Sequence, residues 1–210
     1  MSRTDKKNEI LQASGKIFAH YGYDKTTLDD IGKIVGLNKT SLYYYYKNKE
    51  TIFTDVLQSE LDNFLSVTMD KTEQVYGYAN KIKVCMKELL VYSGNAANLI
   101  GLTNETMQAA RPCIKSLTED FMNKLIHYLS ETVETGIQEG EFKECDSKEI
   151  ARSIIRITNA VICKKSSSSV NDSTTENERN ALEREVLLMI SLVLDGLTKV
   201  SSRESHELES

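Results

Sequence analysis

The chain has 210 residues, 40% hydrophobic and 27% charged, which is enough apolar material for a sizeable core in one or two domains. No run approaches the roughly 18 apolar residues of a membrane helix, and residues 1–7 lack the apolar segment of a secretory signal, so we expect a cytoplasmic protein. The net charge is −5, but residues 1–50 hold nine Lys and Arg against six Asp and Glu, a net +3 that leaves −8 for the rest. A basic N-terminal part on an acidic body suits a protein that docks that end on phosphate, although such an asymmetry also arises fairly often by chance.

The pattern along the chain favours an all-α fold. The sequence holds a single proline, Pro112, and little of the period-two alternation that is typical of strands. Apolar residues at helical spacing predict a first helix over about 4–21, which Gly22 ends.

Two short helices joined by a tight turn are predicted next. Thr27 is placed to cap a helix that begins near residue 28, and Asp29 and Asp30 suit the positive end of its dipole. Gly36 suits the turn that follows, and Asn38 suits the cap of another helix that reaches residue 45 or 46. Two helices joined this closely through a glycine match the helix-turn-helix motif, whose second helix enters the major groove of DNA.

The rest of the chain predicts six further helices, about nine in all. We expect them to begin at residue 49 and then to cover about 75–92, 95–107, 111–139, 147–164 and 176–200. Glycines at 136 and 140 predict the end of the long one, and the Ser-rich tract 165–175 predicts a mobile loop.

The segment from residue 26 to residue 50 resembles the TetR family of bacterial transcriptional regulators. The elements that carry the resemblance are Thr26-Thr27, Leu28, Asp29-Asp30, Gly36-Leu37, Lys39-Thr40-Ser41, Leu42-Tyr43, Tyr44-Tyr45-Tyr46 and Lys47-Asn48-Lys49-Glu50. The match covers about the first fifty residues. Family members often carry histidine at the Tyr45 position and phenylalanine at the Tyr46 position, so these two positions depart mildly from the pattern.

The resemblance implies a set of DNA contacts. Residues at base edges or the adjacent backbone are expected to be Lys39, Thr40, Ser41, Tyr43 and Tyr44; phosphate contacts are expected from Tyr45 and Lys49, and at the start of helix two from Thr26 and Thr27. These side chains suit the task, because Lys, Thr, Ser and Tyr all donate hydrogen bonds to phosphates or bases. For Tyr43, packing and contact are equally open, and Thr27 is also a cap. Leu42 and Tyr46 are expected in the core.

The resemblance also implies how such a protein works. A helix-turn-helix domain over 1–48 would be followed by a helical effector-binding and dimerisation domain over 49–203 and a disordered tail over 204–210. A homodimer would bind a palindromic operator with half-sites roughly 34 Å apart, and an unknown small-molecule effector would release it. Repression is the usual outcome in the family.

The last two predicted helices supply candidates for the dimer interface, because the final one is apolar nearly all the way round. The candidates are Ile154, Val161, Val186, Ile190, Val193 and Leu197. The alternative is a buried central helix of a monomer. Candidates for the effector pocket are Met86, Leu90, Met107, Phe121, Leu125 and Tyr128, for which ordinary core packing is an equally simple explanation.

Other chemistry has little support in the sequence. Four cysteines at wide spacing and three scattered histidines predict no metal site, and no cofactor is indicated. The chain has no phosphate-binding glycine loop and no nucleophile motif, so we do not expect an enzyme. The acidic neighbours of Cys145 should raise the pKa of its thiol, which disfavours a redox sensor. The alternative function is a DNA-binding regulator without a small-molecule effector, gated by a protein partner or by thiol oxidation.

Overall fold

The computed structural model describes the backbone of residues 2–100, 104–168 and 176–199, and within these ranges the side chains apart from those of 94–100, 104–113, 161–168, 176–179 and 182. Eight helices lie in these ranges: α1 Arg3–Tyr21, α2 Leu28–Ile34, α3 Lys39–Tyr43, α4 Lys49–Glu73, α5 Tyr78–Ile100, α6 Asn104–Gln138, α7 Ser147–Ser168 and α8 Glu176–Leu197. The predicted all-α fold is confirmed. None of the helices in the described ranges combines the length and the apolar character needed to cross a membrane.

The chain forms two compact units. Unit 1 comprises Met1–Val67 and Val91–Phe121, and unit 2 comprises Thr68–Leu90 and Met122–Ser210. Helices α4, α5 and α6 each contribute residues to both units. The predicted tail 204–210 lies outside the described residues.

Capping fixes the ends of the N-terminal helices, at Asn38 and Gly22 as the sequence predicts and at Ser2 in addition. The Ser2 hydroxyl accepts a hydrogen bond from the Asp5 amide at 3.0 Å, and the Asn38 side chain accepts one from the Ser41 amide at 2.8 Å, so α1 and α3 begin at the residues that follow these caps. Gly22 ends α1 with φ 80°, and Gly36 follows α2 with φ 67°. Since side chains disfavour this backbone conformation, glycine at 36 lets the chain reverse between α2 and α3.

The core of unit 1 lies under the first four helices. Aromatic rings of Phe18, Tyr23 and Phe53 meet with centroids 4.6 to 5.6 Å apart. Leu42 is fully buried and Tyr46 is 2% exposed, so the prediction that both are core residues is confirmed. The core cluster comprises Ile10, Ile17, Phe18, Tyr23, Ile31, Val35, Leu42, Tyr46, Ile52, Phe53 and Val56. Burial of this cluster holds the short helices α2 and α3, which are too short to be stable alone.

Helix boundaries depart from the predictions at three places. The expected short helix over 95–107 is not separate, because residues 95–100 continue α5 and residues 104–107 begin α6. Helix α7 continues to Ser168, into the tract predicted as a loop, since adding a residue to an existing helix costs far less than starting one. Helix α3 ends at Tyr43, before a turn at residues 44 and 45.

Unit 2 is organised around the end of α6. Gly140, with φ 80°, follows that helix as predicted, and Glu141 then accepts hydrogen bonds from the Tyr78 and Ala79 amides, both at 2.8 Å. This carboxylate caps the start of α5. Phe142 is fully buried and forms an antiparallel bridge with Thr198, just beyond α8, which itself packs on α7.

Candidate nucleic-acid interface

The recognition helix, α3, presents most of its predicted contact residues to solvent. Lys39 and Thr40 are exposed, Tyr43 is 49% exposed and Tyr44 is 65% exposed, whereas Ser41 and Tyr45 are half-buried. Leu42 points into the core from the opposite side. The packing of Leu42 therefore fixes which face of α3 is available to a ligand, and that face carries one cation, hydroxyls and two phenols.

The turn between α2 and α3 depends on a close backbone approach at Gly32. The Leu37 amide donates to the Gly32 carbonyl at 2.8 Å. A Cβ atom at position 32 would lie 2.5 Å from the Leu37 carbonyl oxygen, a distance that real Cβ contacts do not reach. Only glycine fits this position without moving the residues that lead into α3. Sequence reasoning missed this role, although a glycine inside so short a helix is a recognisable signal.

Both threonines before α2 are committed to the protein itself. The Thr26 side chain is buried, and its hydroxyl donates to the Gly22 carbonyl at 2.8 Å. The exposed Thr27 hydroxyl accepts from the Asp30 amide at 3.2 Å and donates to the Asp30 carboxylate at 2.6 Å. A hydroxyl has one proton to donate. We therefore assign Thr26 a structural role in the loop before α2, and we assign Thr27 primarily the role of a helix cap.

The Asp30 carboxylate completes this cap. It accepts from the Thr27 amide at 3.0 Å as well as from the Thr27 hydroxyl, and these two hydrogen bonds, the hydroxyl first, lower the pKa of Asp30. The predicted role of Thr27 as a cap is confirmed. The reciprocal pair fixes the start of α2.

Lys49 at the start of α4 is held by the loop between α1 and α2. Its ammonium donates to the carbonyls of Tyr23 at 2.8 Å and Thr26 at 2.9 Å, and it lies 4.1 Å from the centroid of the Tyr23 ring. Burial, and then the Glu50 carboxylate, raise the pKa of Tyr23 to about 12, so this ring stays neutral. An ammonium has three donors, and one remains after these two hydrogen bonds. The phosphate contact expected of Lys49 stays a prediction, beside a visible structural role.

The predicted pocket residues are divided between the two units. Met86, Leu90 and Leu125 in unit 2 are at most 1% exposed, and Phe121 in unit 1 is 5% exposed. Tyr128 is half-buried and donates its hydroxyl proton to the Thr72 hydroxyl. The Met107 side chain lies outside the described residues. The role of these candidates in effector binding stays a prediction.

The predicted dimer residues of unit 2 differ in their burial. Ile154, Val186 and Ile190 are fully buried within the single chain. Val193 and Leu197 are half-buried, and the Val161 side chain lies outside the described residues. Because a fully buried side chain is already covered, Val186 and Ile190 are not available to a partner at the surface of α8. Among the described side chains of α8, the exposed large apolar ones are Leu188, Met189 and Leu192.

The two cysteines with described side chains are poorly suited to redox sensing. Cys85 is buried, and burial, followed by the Glu88 carboxylate, raises the pKa of its thiol to about 12. Cys145 is half-buried, and burial together with the carboxylates of Glu144, Asp146 and Glu134 raises its pKa too. The expected direction for Cys145 is confirmed, although its largest cause is burial. Thiolate is the reactive form, so the raised pKa of each thiol lowers its reactivity near neutral pH.

Two family models match the chain. Residues 10–56 match the bacterial regulatory proteins of the tetR family, and residues 104–182 match the tetracyclin repressor-like C-terminal domain. The chain belongs to the TetR family. As a member of this family it is a DNA-binding transcriptional regulator, and the first match contains the whole helix-turn-helix of α2 and α3.

Relatives and solved structures agree with membership of the TetR family. The HTH-type transcriptional regulator YhgD of Bacillus subtilis strain 168 is 23% identical, over 75% of this chain and 83% of its own length. The biofilm operon icaADBC negative transcriptional regulator IcaR of Staphylococcus epidermidis is 37% identical, over 33% of this chain and 38% of its own. A transcriptional regulator from Cytophaga hutchinsonii shares the fold with a TM-score of 0.76 at 25% identity, covering 91% of this chain and 98% of that one.

Proposed function

We propose that this TetR-family protein is a repressor that binds a palindromic operator as a homodimer in the cytoplasm and is released by a small-molecule effector. The observation that carries the proposal is the exposed row of Lys39, Thr40, Tyr43 and Tyr44 on a capped recognition helix, with Leu42 anchoring the opposite side. Such a row supplies both phosphate donors and groups that read base edges. The matched IcaR relatives are named negative regulators, which supports repression.

The primary experiment is selection of bound fragments from a random duplex library, followed by titration of the selected duplex against a mixed-sequence duplex at about 0.15 M salt. We expect an inverted repeat with half-sites about one helical turn apart and a preference for it of at least about 1,000-fold. Recovery of no common sequence, with equal weak binding to both duplexes, would contradict a sequence-reading function.

One substitution is expected to weaken the contacts to bases without weakening the contacts to phosphates. Thr40→Ala removes an exposed hydroxyl from α3 without disturbing the core, so it should weaken binding to the selected duplex by about 10-fold and leave mixed-sequence binding unchanged. Fluorescence anisotropy on both duplexes measures the two affinities. Equal losses on the two duplexes would contradict a base-reading role for Thr40.

For the homodimer we propose the outer face of α8 in place of its buried side. Leu188 and Leu192, 60% and 64% exposed, are four residues apart and so lie on one face of the helix. The double substitution Leu188→Glu with Leu192→Glu should give a monomer, because it puts charges into an apolar interface. Light scattering at micromolar concentration measures the mass. Tyr76→Glu, at a residue 96% exposed in the loop before α5, is the matched control and should stay dimeric. A wild-type monomer would contradict the proposal.

Effector binding is proposed to involve the apolar candidates on α5 and α6. A thermal-shift screen of metabolites tests this, because a ligand that binds only the folded state raises the melting temperature. A hit should also release the selected duplex, and Leu125→Phe, which enlarges the side chain at a buried candidate, should weaken that effect. If no metabolite stabilises the protein, the alternative of gating by a protein partner or by oxidation takes precedence.

The alternative of gating by thiol oxidation is tested by the reactivity of the two described cysteines. Because the pKa values of Cys85 and Cys145 are both raised, alkylation of the native protein by iodoacetamide at pH 7.5 should leave Cys85 unmodified and modify Cys145 slowly. The rate at Cys145 should rise as the pH is raised, because more of the thiol becomes thiolate. Peptide mass spectrometry reads each cysteine separately. Rapid modification of Cys145 at neutral pH would favour the oxidation alternative.

A further inference from the structure

Arg3, in the first turn of α1, lies beside the end of the recognition helix. Its guanidinium carbon is 4.9 Å from the centroid of the Tyr44 ring, and that ring in turn meets Tyr45 edge-on at 5.2 Å. Arg3 is exposed, and Tyr44 is 65% exposed. Arg3, which is distant in sequence, thus places a cation beside Tyr44 and Tyr45 at the end of α3.

Apart from its contact with the Tyr44 ring, the Arg3 cation has no carboxylate partner within the described part of the chain. Neighbouring cations are engaged there: Lys6 pairs with Glu9 at 2.8 Å and Lys7 with Asp55 at 2.9 Å. No ion pair of Arg3 occurs among the described residues. A cation in the first turn of a helix also opposes the helix dipole, so α1 gains nothing from it.

The position of the guanidinium over the Tyr44 ring leaves it able to bind an anion. The planar group carries five N–H donors in a rigid fork, and no described carboxylate pairs with them. A phosphate accepts two such hydrogen bonds in parallel, and holding the group on a ring reduces the entropy lost on binding. We propose that Arg3 binds a backbone phosphate of the operator beside α3 and that the Tyr44 ring orients it. This inference rests on the proposed function, because it places the phosphate next to a recognition helix that is bound to DNA.

The experiment compares Arg3→Gln with Lys16→Gln, which removes an exposed cation farther along the same helix. Affinity is measured by anisotropy from about 0.05 to 0.3 M salt on the selected duplex and on a mixed-sequence duplex of equal length. Arg3→Gln should weaken binding to both duplexes by about 10-fold and lower the salt slope by about 0.9 for each half-site, whereas Lys16→Gln should do neither. A merely structural role for Arg3 would not move the salt slope.

The orienting role of the ring is tested in two further backgrounds. The loss caused by Arg3→Gln should persist in Tyr44→Phe, which keeps the ring, and should shrink in Tyr44→Leu, which removes it. An equal loss in Tyr44→Leu overturns the role of the ring. If Arg3→Gln matches Lys16→Gln in affinity and slope, the phosphate contact is overturned. Equal weak binding of wild type to both duplexes contradicts the proposed function alone, because the Arg3 comparison is still measured; absence of any binding overturns both.

Discussion

Gly32→Ala is expected to remove most of the preference of the protein for its operator over mixed-sequence DNA. The added methyl group would lie 2.5 Å from the Leu37 carbonyl oxygen, and that oxygen belongs to backbone, which cannot turn aside like the end of a side chain. Relief requires movement of Leu37 and Asn38, and Asn38 is the residue that caps α3. The recognition helix would therefore shift relative to α2.

The expected loss of operator affinity follows from how strongly base recognition depends on the position of α3. Contacts to base edges require hydrogen-bond distances, and the specific part of protein–DNA affinity is typically about 1,000-fold or more. We expect Gly32→Ala to lose at least about 100-fold on the selected duplex and much less on a mixed-sequence one. Thermal unfolding should show a protein that is still folded but destabilised by about 1–3 kcal/mol, the usual cost of overpacking.

Gly15→Ala is the matched control. Gly15 also lies within a helix of unit 1, but a Cβ atom there would meet Val56 Cγ1 at 3.6 Å, an ordinary contact. Alanine loses less backbone entropy on folding than glycine, so this variant should be more stable by about 0.5–1 kcal/mol and bind DNA normally. If the Gly32 and Gly15 variants bound the operator equally, the close approach at Gly32 would not be what fixes α3.

What the sequence predicted well was local. Thr27 and Asn38 cap their helices by accepting hydrogen bonds from amides three residues ahead. Gly36 adopts a backbone conformation that few other residues adopt. Each of these features depends only on residues that are close in sequence. The burial of Leu42 and Tyr46 followed from their four-residue spacing on one helix face.

The features that could not be predicted from the sequence depend on contacts between residues that are distant in the chain. Lys49 meets carbonyls more than twenty positions earlier, and Arg3 meets a ring forty-one positions later, and no periodic pattern encodes either meeting. Helix α8 shows a different difficulty. Because it is apolar nearly all round, periodicity did not distinguish the buried side at Val186 and Ile190 from the exposed side at Leu188 and Leu192.

Lys49→Ala should weaken binding to all DNA sequences and destabilise the protein at the same time. Removing the ammonium takes the side-chain donor from the Thr26 carbonyl, on a loop that precedes α2, and leaves the Tyr23 carbonyl with the Thr26 amide at 3.2 Å as its donor. A polar group that loses its partner on burial costs about 1–3 kcal/mol, which corresponds to a fall in melting temperature of roughly 2–4 °C for each kcal/mol in a chain of this size. Loss of the predicted phosphate contact should lower the salt slope by about 0.9 per site.

Lys49→Arg separates these two effects. It keeps the positive charge, so the salt slope should match that of wild type. The ammonium, however, is a compact charge held between two carbonyls 2.8 and 2.9 Å away and above the Tyr23 ring, and the larger planar guanidinium does not reproduce that arrangement. The arginine variant should therefore melt lower than wild type while binding mixed-sequence DNA as strongly. If Lys49→Ala lowers the melting temperature but leaves the salt slope unchanged, Lys49 stabilises the loop and does not contact a phosphate. An unchanged melting temperature would contradict its role in stabilising the loop.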